Sequence, residues 1–213
     1  MNLKAFVLNK KFPCIMARSL ALNGHFEQHH VNEEQSSINF RDCIKLFYRF
    51  VDHYRENPHT LHSIAFSFGH VEFKTFAEFE KFFWIFLKEL KKIDQEKHIH
   101  DPRVSSDPTS SNYSYSLKEE AFFILLLHPG SPRLSRRYQT PTLIFNPHEQ
   151  FEQLRKSGKY EKIRNVIRAK DKLLQGYSNP MLNDFGEESE IYQYVGRVYD
   201  ENEKINFYEM RPL

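Results

Sequence analysis

Glycine is scarce in this chain. Seven glycines serve 213 residues, at positions 24, 69, 130, 158, 176, 186 and 196, and no two are closer than ten residues. A dinucleotide-binding fingerprint needs glycines packed within about six residues, and a P-loop needs two glycines bracketing a short turn. Both nucleotide-binding readings are therefore excluded. Charge of one sign is also lacking: 30 Lys and Arg face 28 Asp and Glu, for a net charge of +2. No strong field is available to grip a phosphate backbone, so nucleic acid is not an expected partner. The longest apolar run, Ala121 to Leu127, falls far short of the ~20 residues that span a bilayer. Cysteine is limited to Cys14 and Cys43. The opening MNLKAFVLNKKF has no apolar signal segment, so reduced thiols in a cytoplasmic protein are expected.

Aromatic residues are abundant: 20 Phe, 11 Tyr and 1 Trp, or 15% of the chain. They provide ample area for a conventionally packed core. Much of that area falls at helical spacing. Phe40, Ile44, Phe47, Val51 and Tyr54 recur every three or four residues, so Asn39 to Tyr54 reads as an amphipathic helix capped by Asn39. Phe76, Phe79, Phe83, Phe86, Leu90 and Ile93 line one face of a second helix, with Thr75 and Glu78 spaced as a capping box. Cys14 to Leu22 reads as a short helix leaving through Gly24, and residues 1–12 as an extended lead-in. Strands are expected at His25 to Val31, Leu61 to Phe68, Ala121 to Leu127 (placed centrally) and Pro141 to Asn146. His148 to Leu174 reads as helix broken near Ser157-Gly158, followed by a short helix within Glu188 to Tyr194. The Ser-, Pro- and Asp-rich stretch 101–116 reads as a loop or lid, and 175–213 as a loop-rich tail. This order implies one α/β or α+β domain over 1–213: a small mixed sheet of about four or five strands covered by helices.

Three segments have chemical potential. In Phe12-Pro13-Cys14, the cysteine stands at the first turn of a helix, where free N–H groups favour a thiolate. A thiolate in an aromatic-lined pocket is one way to hold haem iron; a small buried apolar side chain is the plainer use of Cys. His128 to Arg137 (HPGSPRLSRR) follows the most apolar strand and carries Ser131, Arg133, Arg136 and Arg137. It reads either as a clamp for carboxylate or phosphate or as a solvated basic turn. Asp184, Glu187, Glu188 and Glu190 could receive a cationic group or simply open an acidic helix. His25, His29 and His30 cluster, as do His98 and His100, and His148 precedes Glu149; none shows a metal-ligand spacing.

These segments resemble the YqcI/YcgG family, and within it the branch containing haem-dependent pre-guanitoxin N-hydroxylases. The matching pieces are FPCIMARSL, FFWIFLKELKKID, EEAFFILLLHPGSPRLSRR, TLIFNPHEQFEQLRKSGKYEKIRNVIRAKD and LQGYSNPMLNDFGEESEIYQYVGR, collinear from about residue 12 to 200. The resemblance implies a haem b enzyme that uses dioxygen and an electron donor to hydroxylate a nitrogen in a guanidino or amino group of an arginine-like molecule. Carried over, Cys14 is the preferred axial ligand and His128 its rival. Ser131, Arg133, Arg136 and Arg137 would bind the cofactor, the arginines through its propionates. Asp184 and Glu187 would be the catalytic acids beside a cationic substrate. Where relatives read DHGE, this chain has Asp184-Phe185-Gly186-Glu187. A haem-binding or sensing protein without turnover and a non-haem metalloenzyme are the alternative readings.

Overall fold

The computed structural model describes residues 2–31, 37–200, 203 and 205. Five strands form: β1 (Phe26–His30), β2 (Ser63–Ser67), β3 (Tyr115–Leu117), β4 (Glu120–Leu127) and β5 (Thr142–Pro147). They lie in the order β1-β2-β5-β4-β3, with β1 parallel to β2 and the other neighbours antiparallel. Among the described residues seven α-helices cover this sheet: α1 (Leu3–Leu8), α2 (Ile15–Asn23), α3 (Phe40–Glu56), α4 (Phe76–Asp94), α5 (Glu149–Lys156), α6 (Tyr160–Gln175) and α7 (Ile191–Tyr194). The expected single domain with a small mixed sheet is what the chain forms. The apolar strand β4 is interior, but β5 takes the middle place.

The two-residue period of the strands divides the molecule. Ile64, Phe66, Phe122, Ile124, Leu126, Leu143 and Phe145 point into the large core beneath α3 and α4. Ala65, Leu127 and Ile144 point to the opposite side, where Leu3 and Val7 of α1 and Ala21 of α2 pack. Most of the phenylalanines fill the first side. Asn39 caps α3 by accepting from the N–H groups of Arg41 and Asp42, and Thr75 caps α4 through Glu78. The reciprocal arm of that box is displaced by one residue, since Glu78 Oε2 accepts from the N–H of Lys74.

Two local expectations are corrected. Within the expected extended lead-in 1–12, the described residues 2–12 are not extended, because Asn2 Oδ1 accepts from the N–H of Ala5 and starts α1. A six-residue helix has too few turns to show a period, and here burial of Leu3 and Val7 decides. The end of stretch 101–116 pairs as β3, with the left-handed residues Lys118 and Glu119 turning the chain into β4. No Asn-Gly pair announces this turn; it is held from outside, by Lys118 N donating to Asp94 and Arg55 donating to the Lys118 carbonyl. Asp101 fastens the start of the stretch, accepting from Ala121 N and donating its own N–H to Ser116 Oγ. The stretch is thus a strap on the β3–β4 edge. Residues 201, 202, 204 and 206–213 of the loop-rich tail lie outside the described residues. Among the described residues no helix is long and apolar enough to cross a membrane.

Candidate functional site

The side of the sheet away from α3 and α4 is incompletely filled. Helix α6 shows this most directly: its only buried residue is Asp171, and its apolar Ile163, Val166 and Ile167 are half-buried. Ile163 and Ile167 face two adjoining cavities instead of packed core. The first, about 250 Å³, lies between β4, α1, α2 and α6 and is walled by Phe12, Leu125, Leu127 and Ile144. The second, about 180 Å³, lies under α5, α6 and the chain before α7. They share Met16, Phe123, Phe151, Ile167, Arg168 and Leu182 as walls. No residue of the 101–116 strap borders either one.

Cys14 stands at the wall of the first cavity as the N-cap of α2, its Sγ accepting from the N–H of Ala17 at 3.4 Å. The expected low-pKa thiolate is not formed by the protein alone. Burial pushes the thiol up, and this outweighs the lowering by the N–H groups of Ala17 and Met16. Cys14 is a free thiol.

The HPGSPRLSRR segment divides its side chains among several tasks. His128 is on the other side of the sheet, stacked on Phe79 of α4 at 5.2 Å between ring centroids. Its Nδ1 accepts from Gly130 N, and burial lowers its pKa. It borders neither cavity. Ser131 is fully buried, and its Oγ accepts from Arg133 N. Arg136 is committed to the carbonyls of Tyr194 and Gln193, at 2.5 and 2.8 Å, and so ties down the end of α7. Arg137 donates to the Ser131 carbonyl and lies outside both cavities. Arg133 differs from them. Its Nη2 donates to Asp171 of α6, whose other oxygen accepts from Ser135 Oγ, while its buried Nη1 has no partner. The residue is 4% exposed and lines the first cavity. An unmet guanidinium donor in such a wall suits a ligand carboxylate.

The proposed catalytic acids are not brought to the cavities. Asp184 is neutralised by Arg164 and Arg168, and Glu187 is exposed, accepting from Asp184 N. Neither lines a cavity, and Glu188 is exposed with its carboxylate on Asn183. Glu190 does line the second cavity, with His148 beside it. Glu190 Oε1 accepts from Tyr194 OH at 2.5 Å and Ser114 Oγ at 2.7 Å. Its Oε2 lies 3.9 Å from His148 Nε2. Burial raises the carboxyl to about 8 and lowers the imidazole to about 4, so both are largely neutral near pH 7. Phe185 lies against the His148 ring at 4.3 Å.

Two of these residues had a readable signal. Asp171 continues the apolar stripe of Ile163 and Ile167 at four-residue spacing, and an acid in such a stripe needs a buried partner. Glu190 precedes Tyr194 by one helical turn. The pairing of Glu190 with His148, 42 positions apart in the sequence, has no local signal.

Three of the clustered histidines are engaged with other parts of the chain. His25 stacks on His62 at 4.9 Å, His98 meets Glu119 at 3.4 Å, and His100 bonds the Ser105 carbonyl. Among the described residues no three His, Cys, Asp or Glu side chains assemble as a metal-holding group. A non-haem centre therefore has no ligand set among them. A haem needs one axial ligand and an apolar cleft, and the first cavity has the chemistry for that: a thiol, apolar walls and the unmet Arg133 donor.

Compared with known proteins, residues 3–207 match the model of the YqcI/YcgG family. No curated protein and no solved structure matches.

Proposed function

The chain belongs to the YqcI/YcgG family, and from that premise we propose that it is a haem-dependent monooxygenase that hydroxylates a nitrogen of a guanidino or amino group in an arginine-like small molecule. The observation that carries this reading is Cys14 in the wall of a largely apolar cavity that Arg133, with its partnerless Nη1, also lines. The reaction takes dioxygen, two electrons from an external donor and two protons, and returns the N-hydroxylated product and water.

Cys14 is the side chain that would bind the iron, giving up its thiol proton as it does so. Arg133 would hold a propionate through Nη1 while Asp171 fixes the guanidinium plane. Haem b, when bound, supplies the dioxygen chemistry, and a thiolate ligand favours O–O cleavage. Phe12, Phe123, Phe151 and the isoleucines of α6 keep water from the reacting space. The second cavity opens from the same walls and would receive the substrate. A free Cys14 thiol is compatible with a reduced, cytoplasmic setting.

The test is hemin titration followed by the spectrum of the reduced, CO-bound protein. A strongly red-shifted Soret band that is lost in Cys14→Ala is the expected result. An imidazole-type band would move the ligand elsewhere, and no haem spectrum at all would refute the proposal. Reductant- and oxygen-dependent N-hydroxylation of arginine or a related amine separates an enzyme from a haem sensor without turnover.

A further inference from the structure

The second cavity has an unbalanced charge inventory. Three guanidinium groups line it, and each has a carboxylate: Arg155 pairs with Glu152, while Arg164 and Arg168 share Asp184. The lining carboxyl left over is Glu190, whose side chain is 4% exposed, which feels Arg155 only through space and whose Oε2 stands beside the neutral His148. With no paired cation this buried carboxyl keeps its proton near pH 7, and an ammonium ion would take that proton's place.

The geometry also selects the kind of cation. Glu190 Oε1 already accepts two hydrogen bonds, from Tyr194 and Ser114. Both of its acceptor sites are therefore used, and a guanidinium fork cannot engage the two oxygens side by side. Only Oε2 is open, and it faces His148 Nε2 across 3.9 Å, too long for a direct hydrogen bond. Once the carboxyl proton is displaced and the imidazole carries its own proton on Nδ1, Oε2 and Nε2 are two acceptors that a compact donor with several N–H bonds can bridge; a planar fork fits them less well. Aromatic rings stand around the point, with Phe185 against His148 and Tyr160 and Phe151 in the same wall. Such rings attract an ammonium ion.

We propose that Glu190 Oε2 and His148 Nε2 form a binding site for the ammonium group of a small amine in the second cavity. The site deepens the function proposed above by narrowing the nitrogen to an amine; its role as a substrate site rests on that function, whereas the binding itself does not. Arg133 and Cys14 belong to the first cavity and take no part in it.

The experiment is calorimetric titration of the full chain, both without and with hemin, using n-butylammonium, 1-butanol and n-butylguanidinium as probes. Wild type is expected to bind butylammonium at least about tenfold more tightly than butanol and more tightly than butylguanidinium. Glu190→Gln keeps the shape and the Tyr194 and Ser114 contacts, and should abolish the preference over butanol. Phe185→Ala, at a half-buried loop position, should weaken butylammonium several-fold and locates the site if Glu190→Gln does not fold. Equal affinity for butylammonium and butanol in wild type overturns the proposal. So does a preference that survives either folded variant unchanged, and a preference for butylguanidinium overturns the ammonium assignment. A chain that takes up no haem yet keeps the ammonium preference refutes the oxygenase and leaves this site standing; one that takes up haem and shows no preference does the reverse.

Discussion

Cys14 and His128 lie on opposite sides of the sheet. Cys14 shares its cavity with Leu125 and Leu127 of β4, whereas His128 continues the alternate row of β4 and stacks on Phe79 of α4. The two side chains cannot serve one group, and of the two only Cys14 is placed to meet a ligand in the first cavity.

His128→Ala should therefore be a stability variant and nothing else. It removes the stack on Phe79 and the hydrogen bond to Gly130 N, at a cost of about 2–4 kcal/mol. Denaturant unfolding would show the loss, and hemin binding below the transition would match wild type. A change in the Soret position would contradict this placement.

Arg133→Met should strand Asp171, which would keep only Ser135 as a partner. Leaving one half of a buried pair costs about 3–5 kcal/mol. The double variant Arg133→Met, Asp171→Leu should recover most of that loss while hemin affinity stays low. Recovery of hemin affinity along with stability would show that Arg133 serves packing alone.

Stability should fall between pH 6.5 and 8. Glu190 is raised to about 8 in the folded protein, so its contribution is complete below the unfolded value and is lost as pH rises from there through about 8. His148 is lowered to about 4, so its contribution is present above the unfolded value near 6.5 and lost as pH falls toward 4. Burial lowers His62, His100 and His128 as well, and they act in the same direction as His148. The slopes oppose each other between about 4.5 and 6.5, and above that the Glu190 slope is no longer opposed by the histidines and is worth about 2 kcal/mol up to pH 8. Thermal melts across this range should show the decline in wild type and a flat profile in Glu190→Gln.

Gly196→Ala should be far more damaging than Gly24→Ala. Both glycines are left-handed, with φ of +85° and +76°. A Cβ at Gly24 meets open space, so the cost is the conformational one of about 1 kcal/mol. At Gly196 it would sit 2.8 Å from Arg136 Cδ and Nη1, against the guanidinium that holds the carbonyls of Tyr194 and Gln193. A loss of more than about 3 kcal/mol is expected at that position from urea denaturation.

Much of the framework was legible because its signals are local. Asn39 and Thr75 announced their helices, and the aromatic spacing of α3 and α4 marked their buried faces. Four of the five strands could be placed from alternation or apolar runs, and Gly158 marked the break between α5 and α6. What escaped were pieces held by distant partners: α1, buried against the sheet, and the Lys118-Glu119 turn, fixed by Asp94 and Arg55. The site was legible as segments but not as an arrangement. FPC and HPGSPRLSRR were both conspicuous, yet only Cys14 and Arg133 combine an outlook on the first cavity with an uncommitted polar atom or a proposed ligand role.

Sequence by itself determined that nucleotide-binding loops are absent, that the chain makes a small sheet under aromatic helices, and which segments are chemically unusual. Spacing and capping act over a few residues, so one strand of letters suffices to read them. Tertiary structure alone decided which side of the sheet each side chain meets and which charges already have partners. A single position along β4 sends His128 into the α3–α4 core, and pairing across the fold silences Asp184 while leaving Glu190 without a cation. Whether a charged group is spent or available depends on neighbours that the fold brings together from distant positions, and no local pattern encodes that.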